Sequence, residues 1–215
     1  MNPAARLRPL LLSALAAAVL CGGCSGPEVA FNSRYEFSKL RRVAVASFEG
    51  SGGAAAADYL SHALLASGAD VVERSRLEAV LNEQNLRARG VLDPETVRRV
   101  GKILGVDAVF LGSVTEYAPQ QSYLIVTDSS ANYIVAGAAP VGSGTRFTNT
   151  PAFGAPGTSI LTSSAQVGLT ARLVDVESGS VVWSAHQSYE GFDLDSAMSA
   201  VTVSFARTLA HVWRR

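Results

Sequence analysis

The sequence predicts an α/β domain: a mixed central sheet of about five strands with helices packed on it, and one long insertion before a closing β-hairpin. Three observations predict it. Val71 to Tyr117 reads as strand, helix, helix, strand. Residues 165–176 and 180–189 alternate apolar and polar side chains about a Glu177-Ser178-Gly179 turn. Between these units, Tyr117 to Ala165 has Asp128 and Arg146 as its only charged residues and is otherwise rich in Ser, Thr, Gly, Ala and Pro. A chain of 215 residues, 48% hydrophobic, is long enough for one such domain plus extras. Its formal net charge is zero, with no basic footprint for nucleic acid and no charged run for a solvating tail.

Taken in order, the first element is a targeting segment. Arg6 and Arg8 precede an apolar core from Leu10 to Leu20, too short to span a bilayer as a mature helix. Gly22-Gly23-Cys24-Ser25 then places small residues around a cysteine, which resembles a bacterial lipobox. In such a motif the cysteine thiol takes a diacylglycerol and cleavage leaves it as the acylated N-terminus. Residues 1–23 are therefore expected to be a lipoprotein signal peptide, with Cys24 the lipidation site. Cys21 stands where a lipobox usually carries Leu, and the competing reading is an ordinary secretory signal with two incidental cysteines. A disulfide or metal site is not supported, since the chain has 2 cysteines and no histidine near them. Ser25, rather than Asp, after the cysteine favours the outer membrane over retention at the inner one. Residues 24–39 are expected to be a tether without a regular element, given Pro27 and scattered polar residues. Residues 40–215 are then the domain, with 118–164 as its insertion.

Leu40 to Phe48 is the first predicted strand, and Ala54 to Ser67 a helix with Leu60 and Leu64 facing inward. Between them, Gly50-Ser51-Gly52-Gly53-Ala54-Ala55 matches G-x-G-x-x-A, with Asp70 at the spacing of a ribose-binding acid. A lone fingerprint is weak, and two successive helices break a regular βαβ repeat, so the motif is read as a flexible turn. Ser75-Arg76-Leu77-Glu78 reads as a capping box for a helix whose apolar stripe is Leu77, Val80, Leu81 and Leu86 and whose stop is Gly90. Asp93-Pro94 starts the next helix, Val97, Val100, Ile103 and Leu104 form its expected buried face, and Gly105 closes it. Asp107 to Glu116 is then a strand.

The fragments "RRVAVASFEG", "VVERSRLEAVLNEQ", "VGKILGVDAVFLGSVTEY" and "LTARLVDVESGSVVWSA" resemble, in that order, the curli assembly and transport lipoprotein (CsgG-type) family. The resemblance covers roughly Leu40 to Ala185 apart from the insertion. It implies the α/β core, an oligomer, and a non-enzymatic role in secretion or assembly of surface, curli-like protein. It also implies a place on the periplasmic side of the outer membrane. Related folds include lipoprotein activators of penicillin-binding proteins, so a regulator that binds and activates a periplasmic cell-wall synthase is the alternative. In that family the insertion position holds a hairpin that enters a membrane barrel. Here Pro140, Pro151 and Pro156 interrupt long strands. Two readings stay open, a membrane-inserted hairpin and a surface loop or partner-binding flap. Tyr123, Tyr133, Phe147 and Phe153 are the candidate contacts under either. The family's second hairpin would have to fit between Trp183 and Leu194, where about ten residues suffice for one membrane strand but not two.

No catalytic constellation stands out. His62, His186 and His211 have no ligand-type residue at metal spacing. Asp58, Asp107 and Glu116 are isolated carboxylates, and no G-x-S-x-G or H-E-x-x-H occurs. Glu78, Glu83, Arg87, Arg98, Arg99 and Lys102 read as solvated helix faces or, alternatively, a docking surface. Trp183 reads as core. Asp193 or Asp195 caps a last helix with Leu194, Met198, Val201, Phe205, Leu209 and Val212 as its stripe. The expected partners are the outer membrane through the lipid, further copies of the chain, and an unidentified periplasmic or secreted protein. Neither nucleic acid nor a cofactor is expected.

Overall fold

The computed structural model describes residues 26–83, 93–127, 133–136, 147–151 and 158–213. Two long antiparallel pairings set the frame. β4 (Ala108–Ala118) pairs with β9 (Ala165–Asp175), and β9 pairs along its other edge with β10 (Val181–Gly191). β2 (Arg42–Val45) adds to β4 in parallel, and β3 (Asp70–Val72) adds to β2 in parallel. β1 (Glu28–Phe31) closes the opposite edge against β10. The mixed sheet thus has six strands in the order β1-β10-β9-β4-β2-β3.

Helices cover both faces. α1 (Gly53–Ala66) and α4 (Leu194–Trp213) pack on one face, where Leu60, Leu64, Phe110, Leu169, Leu173 and Phe205 form the larger core. α2 (Arg74–Glu83) and α3 (Pro94–Leu104) pack on the other, around Val72, Leu77, Leu81, Val97, Val109 and Val174. β9 carries the expected alternation, with Val167, Leu169, Ala171 and Leu173 buried and Arg172 exposed. Trp183 is core, its ring edge-on to Phe110 and Phe205 at centroid distances of 6.0 and 5.8 Å.

The caps follow the sequence in two of three cases. The Thr96 amide donates to Asp93 Oδ1 at 2.8 Å, Pro94 sits in the first turn, and Gly105 ends α3 with φ 65°. The Ser196 amide donates to Asp193 Oδ1 at 2.7 Å, so Asp193 is the cap of α4. The third case differs. α2 starts at Arg74, with the Glu73 carbonyl accepting from the Arg76 and Leu77 amides, so Ser75 lies inside the first turn. Gly90 and Leu86 lie outside the described residues.

Two further expectations are corrected. Ile103 is 51% exposed, and α3 instead buries Gly101 beside Leu104. A Cβ at position 101 would overlap Val176, so the helix closes onto the end of β9 through the residue that has none. The stretch expected to be a free tether contains β1 and a 3-10 turn, Phe37–Lys39. Strand pairing with β10 satisfies the backbone of β1, and aromatic packing holds the residues between it and β2. The Phe37 ring stands edge-on to Tyr35 and Phe31, at 5.1 and 6.5 Å between centroids. The Trp213 indole N–H donates to the Leu40 carbonyl.

The Tyr35 hydroxyl donates to Asp175 Oδ1 at 2.7 Å, fastening this arm to the end of β9. Burial works against the Asp175 carboxylate. Hydrogen bonds from the Ser178 hydroxyl and amide, the Tyr35 hydroxyl and the Glu177 amide outweigh it, and its pKa falls below the ordinary value. Burial and the same carboxylate push the Tyr35 hydroxyl well above the usual tyrosine range. Tyr35→Phe keeps the ring and removes the bond; we expect a loss of about 1–2 kcal/mol in urea unfolding at pH 7. The Asp175 contribution is present above the unfolded-state pKa of roughly 3.9 and is lost as pH falls through the lower folded value. The Tyr35 contribution is present below roughly pH 10 and is lost as pH rises through its raised folded value. Asp175→Asn should therefore flatten the acid limb of the stability profile, measured as unfolding midpoint against pH.

Candidate functional site

The insertion leaves the domain where β4 ends and β9 begins. The Ser163 amide donates to the Gln121 carbonyl at 2.7 Å, and the Gln121 amide donates to the Ser163 hydroxyl at 2.9 Å. These bonds carry the β4–β9 pairing directly into β5 (Ser122–Thr127) and β8 (Thr158–Ser163), which pair antiparallel. β6 (Tyr133–Ala136) pairs with the outer edge of β5, and β7 (Phe147–Pro151) with that of β8. The surface-loop expectation is thus replaced by a second sheet of four strands in the order β6-β5-β8-β7. Its backbone is satisfied by pairing, which needs no apolar alternation. Pro151 falls on an edge strand, where proline is tolerated.

The sequence-predicted contacts are spread along this second sheet. Tyr123 stands opposite Leu161, near the base. Phe147 stands opposite Ser163, at the base itself. Tyr133 stands opposite Thr127, at the far end. Phe153 and Cys24 lie outside the described residues. The described β5 and β8 have 6 residues each, β7 has 5 and β6 has 4.

The glycine-rich loop between β2 and α1 lies at this same end. Gly50 and Gly52 take left-handed φ values of 92° and 75°. A Cβ at Gly52 would enter the ring of Tyr117, and one at Gly53 would overlap the Phe48 carbonyl. The glycines therefore serve close packing against β4. Their polar groups are used internally: the Gly53 amide donates to the Gly50 carbonyl at 3.1 Å, and the Ala56 amide to the Gly52 carbonyl at 2.9 Å. Asp70 opens β3 opposite Arg42, at the other end of the strands, and pairs with its guanidinium at 3.4 Å. The acid and the glycines of the dinucleotide outline thus stand at opposite ends of the sheet, and the turn is packed rather than flexible.

The three isolated carboxylates of the sequence all have structural partners. Asp58 pairs with Arg74 at 3.2 Å, and Arg74 also approaches Glu78, which accepts from the Ser47 hydroxyl at 2.9 Å. Asp107 accepts from the Arg41 and Arg42 amides at 2.7 and 2.9 Å. Glu116 accepts from the Ser188 hydroxyl at 2.9 Å. His186 Nδ1 lies 3.1 Å from the Thr170 hydroxyl, and His62 is exposed on α1. Among the described residues no group of three or more His, Cys, Asp or Glu could hold a metal ion. A shallow cleft of about 170 Å³ on the sheet face is lined by Ser47, Glu49, Ser113, Thr170 and Arg172. It brings together no nucleophile–base pair.

Exposed aromatic residues stand at both ends of the sheet, Phe31 (55% exposed) at the end away from the insertion and three others at the insertion end, a grouping that sequence reading missed. Tyr117 on β4 and Tyr189 on β10 both stand opposite Val167 of β9, and are 38% and 43% exposed. Phe192, between β10 and α4, is 78% exposed. The sequence holds one usable signal, an apolar aromatic immediately before a helix cap, where no strand or helix stripe claims it.

The family model for the curli production assembly/transport component CsgG matches residues 28–210. No curated protein matches the chain. Among solved structures, a PelC dodecamer from Paraburkholderia phytofirmans is 20% identical, with 88% of this chain and 99% of that one covered and a TM-score of 0.45. The lipoprotein GNA1162 from Neisseria meningitidis is 17% identical, with coverage of 79% and 98% and a TM-score of 0.43. The C-terminal domain of LpoB from Salmonella enterica is 13% identical, with coverage of 81% and 90% and a TM-score of 0.38.

The packing role of the glycine turn is testable. Gly52→Ala is expected to cost about 1–3 kcal/mol through the left-handed φ and the clash with Tyr117. Adding Tyr117→Ala should recover the steric part of that loss in a double-mutant cycle read by urea unfolding. Purely additive effects would mean that the ring does not rest on this turn.

Proposed function

The chain belongs to the curli production assembly/transport (CsgG) family, and from that premise we propose that it is a non-enzymatic lipoprotein on the periplasmic side of the outer membrane. It supports the secretion or assembly of surface protein and works as a homo-oligomer. The observation that carries this reading is the extent of the family match, residues 28–210, which runs through the six-stranded sheet, its helices and the insertion. The lipobox-like Gly22-Gly23-Cys24-Ser25 supports an anchor at Cys24. Several acyl chains on one residue hold a protein far more firmly than one.

The working parts are the anchor, the four-stranded sheet of the insertion, and the faces by which copies meet. Tyr123, Tyr133, Phe147 and Phe153 are the residues through which the insertion contacts membrane or cargo. The prolines at 140, 151 and 156, which interrupt long strands, support the partner-binding role over a bilayer-spanning one.

Labelling with radioactive palmitate should mark the chain, and Cys24→Ala should abolish both the label and recovery in the outer-membrane fraction. Deleting the gene should lower the amount of protease-accessible surface protein on intact cells while leaving the rate of peptidoglycan synthesis unchanged. The reverse pattern would replace this reading with that of a cell-wall synthase regulator. Protease should cleave residues 118–164 equally in purified outer membranes and after detergent extraction. Protection confined to membranes would instead place the insertion in the bilayer.

A further inference from the structure

We propose that the two free edges of the six-stranded sheet meet between copies of the chain: β1 of one copy adds antiparallel to β3 of the next and joins their sheets head to tail. The proposal rests on the homo-oligomer reading above and names the surfaces by which copies meet.

β1 and β3 end the strand order, and among the described residues neither has a strand on its outer side. The Asn32 amide donates to the Val182 carbonyl. Glu28 and Ala30, at even spacing from it, turn their backbone groups to β10 as well, which leaves those of Val29 and Phe31 facing outward. Exposed edges are usually guarded by Lys, Pro or a bulge. Neither Glu28–Phe31 nor Asp70–Val72 contains one. Both strands are short, so their rungs are few and the side chains around them must supply the rest of the contact.

Strand direction makes the two edges compatible. β3 runs parallel to β2, and β2 to β4; β4 is antiparallel to β9, β9 to β10 and β10 to β1. β1 therefore runs opposite to β3, and two copies in the same orientation bring them together as an antiparallel pair. Register follows from the faces. The cross-strand row Phe31, Trp183, Leu173, Phe110, Val45 reaches the far edge at the level of Glu73. Side-chain faces stay matched only if the next copy is offset by an even number of residues. An offset of two, about 7 Å, is the smallest that lays β1 along β3. It sets Phe31 opposite Val71, Ala30 opposite Val72 and Glu28 beside Arg74.

The side chains agree with that register. Phe31 shares the face of Trp183, the α1 side of the sheet, and is 55% exposed. Beside β3 on the same side, Leu65 of α1 is equally exposed and lines a groove with Val71 and His62. The Phe31 ring of the next copy fits over those two aliphatic side chains. Glu28, on the opposite face, has no ion pair among the described residues and is brought to the Arg74 guanidinium, which holds Asp58 at 3.2 Å. Each copy offers both edges, so the contact is heterologous. It closes into a ring if the rotation between copies divides the circle, and otherwise continues as a filament.

The test joins Glu28→Cys and Glu73→Cys in the full chain with a short bismaleimide in purified outer membranes. Within one copy these positions lie about 24 Å apart, five strand spacings, beyond the reach of the reagent. The double variant should give a ladder of covalent oligomers on a denaturing gel. Each single variant should give only the background of the unsubstituted protein. Dimers from either single variant would mean that like edges meet, and a Glu73→Cys adduct with a different polypeptide would give the edge to another partner; both overturn the proposal. Sedimentation of the detergent-solubilised chain reads oligomerisation separately. Leu65→Glu, an exposed substitution that leaves the core untouched, should raise the concentration at which oligomers dissociate at least about tenfold. An unsubstituted chain that sediments as a monomer at every concentration overturns the homo-oligomer reading. Oligomers that form without a ladder, or that Leu65→Glu leaves intact, overturn the edge contact alone.

Discussion

β9 is the strand on which the architecture depends. It is hydrogen-bonded on both edges, to β4 and to β10, over almost its whole length. Its side chains supply both cores: Val167, Leu169, Ala171 and Leu173 on one face and Val174 on the other, where Val176 just beyond its end joins it. Burying one such aliphatic side chain contributes about 1.5–3 kcal/mol, so a single strand sets much of the stability on both sides of the sheet. β9 also receives the arm through Asp175 and the insertion through Ala165. Changes at either extremity are therefore transmitted along one continuous ladder.

That ladder separates two kinds of chemistry by position. One end gathers the buried hydrogen bonds of Asp175, the Asp107 carboxylate on the Arg41 and Arg42 amides, and the Trp213 indole on Leu40. It also leaves Phe31, Ile103 and Val181 half exposed. The other gathers the glycine turn, three exposed aromatics and the insertion.

Elements with strong local chemistry were legible in the sequence. Asp93, Pro94 and Gly105 bracket α3 as cap, first turn and stop, and the stripe of Met198, Val201, Phe205 and Leu209 fixes the buried face of α4. β1 was not legible, because Glu-Val-Ala-Phe is too short to show a period and its pairing partner lies more than a hundred residues away in sequence. The buried face of α3 was misread at Ile103 because hydrophobic patterns cannot register a glycine. Gly101 is buried by close approach to Val176, which turns Ile103 outward. The insertion shows the same limit. A sheet flanked by edge strands needs backbone pairing before it needs alternation, so the strands from Ser122 to Ser163 left little trace in composition. At the candidate site, Tyr117 and Tyr189 are distant in sequence and meet only through the register of β9.

The antiparallel lie of β1 on β10 has a mechanical consequence for any pull on the residues that precede it, as the proposed anchor would exert. Tension on an attached lipid would pull Glu28 along the axis of the strand rather than away from its edge. All the rungs between Glu28–His186 and Phe31–Trp183 would then bear the load together, in shear, instead of opening one after another. Beyond them, the Phe37 packing and the Tyr35–Asp175 bond form a second stop. A short edge strand can in this geometry act as a strain-relief clamp, keeping a pull on the preceding residues from reaching the core.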